Sequence, residues 1–277
     1  MRYSTLLFLL LCFLAGPTDA GFFSRAGAQE NYTTLEKVNY RPDSTDAYIR
    51  ERCVLDLYYP EDSSGFATVV FFHGGGLSGG EKFIPEAWRE QGIAVATANY
   101  RLHPRVSNPT YTEDAAAAVA WVLQHIEDYG GDPARIYVSG HSAGGYLTSM
   151  VGLDTTYLAV HGLHPDSLAG LIPFSGHTIT HFTVRQEEGL DWDDVVVDRY
   201  APIQHLRPEA PPMLIITGDR DRELYGRYEE NAYFWRMLKL AGHPNTWLYE
   251  MQGFDHGGMA RPAAILTLDF IRRGFRE

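Results

Sequence analysis

Short apolar runs recur along this chain with helical patterns set between them. That alternation limits the fold more than any other feature. Thr68–Phe72 is a continuous apolar run of the kind found in a strand covered on both faces. Similar runs occupy Ile93–Asn99, Ile136–Ser139, Leu168–Phe174, Met213–Thr217 and Thr246–Tyr249, while Cys53–Tyr59 alternates. Between them, Val119, Val122, Leu123 and Ile126 fall on one helical face, with Thr112 as the expected cap and Gly130-Gly131 as the stop. Further helices are expected over about 142–152, over 225–240 and after residue 258. Strand, helix, strand in this order predicts an α/β fold with a mostly parallel sheet and helices on both faces. The stretch 154–207 fits the rhythm worst. It holds one apolar run and then a passage rich in His and Asp, read either as a long connection or as a cap over a cleft.

The first twenty residues read as an export signal. Arg2 precedes the ten-residue apolar run Leu6–Ala15, and small residues follow at Thr18 and Ala20. Ala26 and Ala28 offer a later cut. Ten apolar residues fall short of the roughly twenty a spanning helix needs, so an exported protein without stable membrane insertion is expected, with residues 21–277 forming one domain. The chain carries 35 Asp and Glu against 23 Lys and Arg, a net charge of −12 that disfavours nucleic acid and anionic membrane surfaces as partners. Its two cysteines are Cys12, inside the signal, and Cys53, so the mature chain can form no internal disulfide.

Chemistry concentrates in four short segments. Gly140-His141-Ser142-Ala143-Gly144 follows a strand and opens a helix, the setting in which G-x-S-x-G lifts a serine hydroxyl above a sheet. A serine hydroxyl is a poor nucleophile without a base. Of eleven histidines, His256 in Gly253-Phe254-Asp255-His256-Gly257-Gly258 sits on a glycine-flanked loop after a strand, on the side of the sheet where Ser142 emerges. His161, His164, His177, His181 and His205 precede the acid loop and are expected to be solvated or locally bonded. His243 belongs to a turn at the opposite edge. The acid is expected after the strand Met213–Thr217, where Gly218-Asp219-Arg220-Asp221 offers two carboxylates that spacing alone does not separate. His73-Gly74-Gly75-Gly76 closes the set, since glycines directly after a strand let backbone N–H groups turn toward a developing oxyanion. No G-K-[ST] follows to make that loop a phosphate cradle, and no paired metal-ligand spacing is present. Asn99-Tyr100-Arg101-Leu102 is read as polar anchoring beneath the site, and Tyr228, Tyr233, Phe234 and Trp235 as helix packing.

Together these segments resemble the esterase/lipase group of the α/β-hydrolases, which includes the hormone-sensitive-lipase-like carboxylesterases. The resemblance runs from about Thr68 to Gly258 and also takes in Tyr100-Arg101-Leu102 and Gly145. It implies the α/β-hydrolase fold, Ser142 as nucleophile and His256 as base. It points to Asp221 as the acid, with Asp219 as the alternative, and to the amides of Gly75, Gly76 and Ala143 as oxyanion donors, supported by His73, Gly74, Gly140, His141 and Gly144. His103-Pro104-Arg105 replaces the Ala-Pro-Glu of many relatives, and Leu77 stands where an aromatic residue is usual; both bear on substrate preference. The implied activity is hydrolysis of small carboxylic esters, short-chain or sugar-linked, through an acyl-enzyme and without cofactor or metal. The alternatives are an amide or peptide hydrolase of prolyl-peptidase or formamidase type, and a non-catalytic binding module.

Overall fold

The computed structural model describes residues 31–274, so the expected export signal and its cleavage sites lie outside the described residues. Among the described residues, eight strands form one sheet: β1 (Tyr32–Asn39), β2 (Val54–Pro60), β3 (Phe66–Phe72), β4 (Ile93–Ala98), β5 (Gly131–His141), β6 (Gly170–Phe174), β7 (Met213–Gly218) and β8 (Thr246–Met251). Their order is β1-β2-β4-β3-β5-β6-β7-β8. The β1–β2 and β2–β4 pairs are antiparallel, and every other pair is parallel. This is the mostly parallel sheet that the apolar runs predict. The antiparallel edge strand β1 is the addition, because Tyr32–Asn39 is too exposed and polar to stand out as a buried run.

The helices are α1 (Ala47–Arg52), α2 (Thr110–His125), α3 (Ala143–Leu153), α4 (Thr155–Ala159), α5 (Phe182–Glu187), α6 (Arg227–Leu240) and α7 (Ala260–Arg273). Alternating strand residues separate two cores. Val70, Phe72, Val138 and Ile215 face α2, α3 and α6; Val69, Phe71, Leu214 and Ile216 face α7 and the buried Trp88. Each fully buried Phe or Leu in these layers is worth about 1.5–3 kcal/mol. Thr112 does not cap α2. The helix begins two residues earlier, after Pro109, and Thr112 is buried in its first turn.

The 154–207 stretch is not one cap. Its first part supplies α4 and the central strand β6, and only the passage after Phe174, including α5, crosses the carboxyl end of the sheet. The interruption in the sequence rhythm comes from that second part alone.

One polar knot ties the layers beneath the carboxyl ends of β3 and β4. Asp114 of α2, fully buried, takes hydrogen bonds from Arg101 Nε at 2.7 Å, Arg101 Nη2 at 2.8 Å and the Arg101 amide at 3.1 Å, and Arg41 Nε lies 3.0 Å away. Next to Arg101, the Tyr100 hydroxyl donates to the His73 carbonyl at 3.0 Å, and its ring stacks on the His73 imidazole. The Tyr100-Arg101 segment is therefore an anchor, as its sequence suggests. Removing one partner of a buried charge cluster strands the other. Asp114→Ala is expected to lower unfolding free energy by about 3–5 kcal/mol in denaturant titration. A loss below about 1 kcal/mol, the range of an exposed pair, contradicts this account.

Candidate active site

Ser142 occupies the turn between β5 and α3 with φ 57° and ψ −113°, a left-handed conformation that costs a non-glycine residue about 1–3 kcal/mol. The surroundings enforce it. A Cβ on Gly144 would stand 2.0 Å from the Phe72 carbonyl oxygen, so α3 starts hard against the end of β3. The Ser142 amide donates to Phe174 O at 2.8 Å, tying the turn to β6 as well. Its side chain caps nothing in α3 and stays partly accessible. Ala143 opens the helix, where the first N–H groups have no partner inside it.

The glycine loop follows β3. Gly75 and Gly76 have φ values of +109° and +63°, a path that a side chain would strain. Their carbonyls are engaged elsewhere: Gly75 O accepts from the Ser78 and Gly79 amides, and Gly76 O from the Thr183 hydroxyl of α5. His73 braces the loop from below, its Nδ1 2.7 Å from Gly74 O; burial pushes its pKa down to about 4, which keeps the ring neutral. The segment after the loop is held by Asn99, which accepts the Lys82 amide at 2.6 Å and donates to Glu81 at 2.6 Å.

His256 lies on the β8–α7 loop, and its Nδ1 is 2.5 Å from Glu223 Oε1. The acid expected at Asp221, or at Asp219, is therefore not the carboxylate the fold brings to this imidazole. After Gly218 the chain makes one tight turn, with the Arg222 and Glu223 amides both donating to Asp219 O. That turn carries Asp221 into solvent and Glu223 inward, five residues past the glycine rather than three. Asp219 instead acts as a staple. Its Oδ1 accepts the Asp221 amide at 2.9 Å and its Oδ2 the Gly253 amide at 2.6 Å, backbone bonds that hold its pKa below the ordinary carboxylate value.

Glu223 has a side chain only 1% exposed. Burial works against its charge, yet hydrogen bonds from His256 and Ser175 outweigh it and bring the pKa to about 2. Ser175 Oγ donates to Glu223 Oε2 at 2.6 Å and also lies 3.2 Å from His256 Nδ1; the Gly218 and Leu224 amides add two more donors at 3.1 and 2.8 Å. With Nδ1–H committed to the carboxylate, Nε2 is the basic nitrogen of His256. Neither Glu223 nor Ser175 carries a local sequence signature. The only hint is a position after β7 for one and after β6 for the other, where loops gather at the carboxyl ends of parallel strands.

His141 joins the two halves of the site. Its Nε2–H donates to the His256 carbonyl at 2.7 Å, and the two rings lie 4.7 Å apart. Burial, reinforced by neighbouring His256, lowers the His141 pKa to about 4. The ring preceding Ser142 thus stays neutral beside His256. Of the histidines expected to be solvated or locally bonded, His177 and His181 prove to be buried, and burial lowers both pKa values. His243 is buried against the Ala210 and Pro211 carbonyls, away from these groups.

A cavity of about 1070 Å³ adjoins the site. Phe182 and Leu224 form its near wall: the Phe182 ring packs over Gly76, and Leu224 directly follows Glu223. A smaller cavity of about 500 Å³ near Lys37 and Arg50 contains none of the site residues.

The domain model BD-FAE matches residues 55–166, which include the glycine loop and the Ser142 turn. Lipase 2 of Moraxella sp. is 38% identical over 94 residues, covering 32% of this chain and 22% of its own length. The probable carboxylic ester hydrolase LipM of Mycobacterium tuberculosis is 27% identical over 76% of this chain and 55% of its own. The chain spans about half the length of LipM and under a quarter of Lipase 2. Among solved structures, a truncated carbohydrate esterase from gut microbiota superimposes with a TM-score of 0.72 at 19% identity, covering 91% of this chain and 99% of the other. The chain has the α/β-hydrolase fold, and its sequence is similar to those of esterases and lipases.

Because the Glu223 pKa is depressed in the fold, its contribution to stability is complete above its ordinary value of 4.5 and is lost as pH falls toward 2. The stability difference between wild type and Glu223→Gln is expected to be constant from pH 7 to about 5 and to shrink steadily below that, in urea titrations across pH. A gap that widens on acidification rules this out.

Proposed function

We propose that the protein is a serine hydrolase of small carboxylic esters. The Ser142 hydroxyl attacks the ester carbonyl carbon while His256 Nε2 takes its proton; Glu223, hydrogen-bonded to Nδ1, fixes the tautomer and stabilises the imidazolium. The carbonyl oxygen becomes an oxyanion facing the amides of Gly75, Gly76 and Ala143. Collapse of the tetrahedral intermediate breaks the bond to the alcohol, which leaves with the proton held by His256. Water, deprotonated by the same nitrogen, attacks the acyl-Ser142 ester and releases the carboxylic acid. Asp219 and Asp221 have no part in these steps.

The observation that carries this reading is the Glu223–His256 contact on a loop that His141 binds to the Ser142 turn. The esterases and lipases among the chain's relatives support the same chemistry. His141 contributes by staying uncharged, since a second cation beside His256 would oppose the imidazolium formed during attack. The apolar run at the start of the chain supports export as its destination.

A fluorophosphonate probe is expected to label wild type and not Ser142→Ala, and Ser142→Ala to lose p-nitrophenyl acetate hydrolysis while keeping its circular dichroism spectrum. Undiminished turnover in that variant ends the proposal. Glu223→Gln should lower kcat by about 10³–10⁴, the scale seen when a triad acid loses its charge. Asp221→Asn is expected to stay within about threefold of wild type, as befits an exposed substitution without a hydrogen-bonded role. The reverse ranking, measured by steady-state kinetics at pH 7.5, returns the acid role to Asp221.

A further inference from the structure

The cavity beside Gly76 and Glu223 holds two buried arginines that differ in one respect. Arg227 is satisfied: its Nε lies 3.1 Å from Glu230 Oε1, its Nη1 donates to the Ser175 carbonyl, and its Nη2 is 2.6 Å from His177 Nε2. Arg185, on α5, is only 3% exposed and forms no ion pair among the described residues. Its Nη1 donates to the Asp194 carbonyl, and its Nε has no hydrogen-bond partner.

Glu230, Asp194 and Asp193 favour the Arg185 charge, but burial outweighs them and none of them forms an ion pair with it. Glu230 is shared between Arg227, His177 at 2.9 Å and the Thr178 amide at 2.8 Å. Glu229 pairs with Arg220 at 2.8 Å, Asp194 accepts the Asp191 amide, and Asp193 is exposed to solvent that screens it. A guanidinium does not discharge at working pH, so a buried one without a carboxylate is held at a cost that an incoming anion removes. Burial lowers the Arg185 pKa, in keeping with a cation short of compensation.

The cavity mouth is apolar. Trp192, Val195, Leu224 and Tyr225 line it and are at least half exposed. The cavity meets the site where the Phe182 ring packs over Gly76 and where Leu224 follows Glu223.

We propose that this cavity is a carboxylate subsite, and that the protein's preferred esters carry a free carboxylate at the end remote from the scissile bond, bound by Arg185. The inference rests on the esterase reading and deepens it by naming a substrate class.

The test compares p-nitrophenyl hydrogen adipate with its neutral carboxamide counterpart, and the acetyl ester of 4-hydroxybutyrate with that of 4-hydroxybutyramide. This places the carboxylate on the acyl side in one pair and the alcohol side in the other. In wild type at low salt, kcat/KM for at least one acid is expected to exceed its amide by about tenfold or more, mainly through KM. That ratio should collapse in Arg185→Gln and return in part in Arg185→Lys. A ratio near one in both wild-type pairs, or one that survives Arg185→Gln, overturns the proposal. Should Arg185→Gln fail to fold, calorimetry of free adipate with wild type decides: salt-sensitive binding supports the subsite, and no binding overturns it. If wild type takes no fluorophosphonate and cleaves no ester, the esterase reading fails separately, and the adipate titration still answers for the subsite.

Discussion

The close approach of α3 to the end of β3 is the constraint on which the rest of the site depends. With Gly144 in van der Waals contact with the Phe72 carbonyl, the chain can leave β5 and enter α3 only through a left-handed residue, and Ser142 is that residue. The same contact aligns the two strand ends that carry the proposed nucleophile and the glycine loop. Bonds from Ser142 to Phe174 and from Thr183 to Gly76 then add the β6 end and α5 to the same small region. The strain is local, and two packed cores oppose its release.

Around this turn, buried and half-buried polar groups support one another in chains. Asp114 fixes Arg101, the neighbouring Tyr100 fixes His73, and His73 lies beneath the glycine loop. On the other side Arg227 fixes the Ser175 carbonyl, and the Ser175 hydroxyl steadies Glu223 against His256. None of these supporting groups needs to titrate. His73 and His141 are kept neutral by burial, and Glu223 is kept charged by its donors, so in the proposed reaction a proton moving through His256 would meet an unchanging field.

The sequence made the parallel sheet legible because its central strands are buried on both faces and read as unbroken apolar runs. It made Ser142, His256 and the glycine loop legible because each needs small residues at fixed neighbours, and glycines mark such places. Glu223 left no mark. Its position depends on how tightly the chain turns after Gly218, and the Asp219-Arg220-Asp221 run draws attention to the carboxylates that the turn exposes. Ser175 was hidden in the same way, as an ordinary serine at a strand end. Within 154–207 the apolar run Leu168–Phe174 marked β6, but whether the His- and Asp-rich passage after it was a connection or a cover was not legible, because that depends on how it packs over the sheet. The burial of His177 and His181 depends on that covering segment folding over the sheet.

The staple at Asp219 has a mechanical meaning. Asp219 binds the Gly253 amide and the Phe254 carbonyl, Arg220 N reaches Glu250, and Arg222 reaches Gly253 O, so the turn carrying Glu223 and the loop carrying His256 are riveted into a single plate. A fluctuation that widens the cleft swings carboxylate and imidazole away from the serine together. Such an excursion would leave the Glu223–His256 contact intact and change only its distance from the Ser142 hydroxyl.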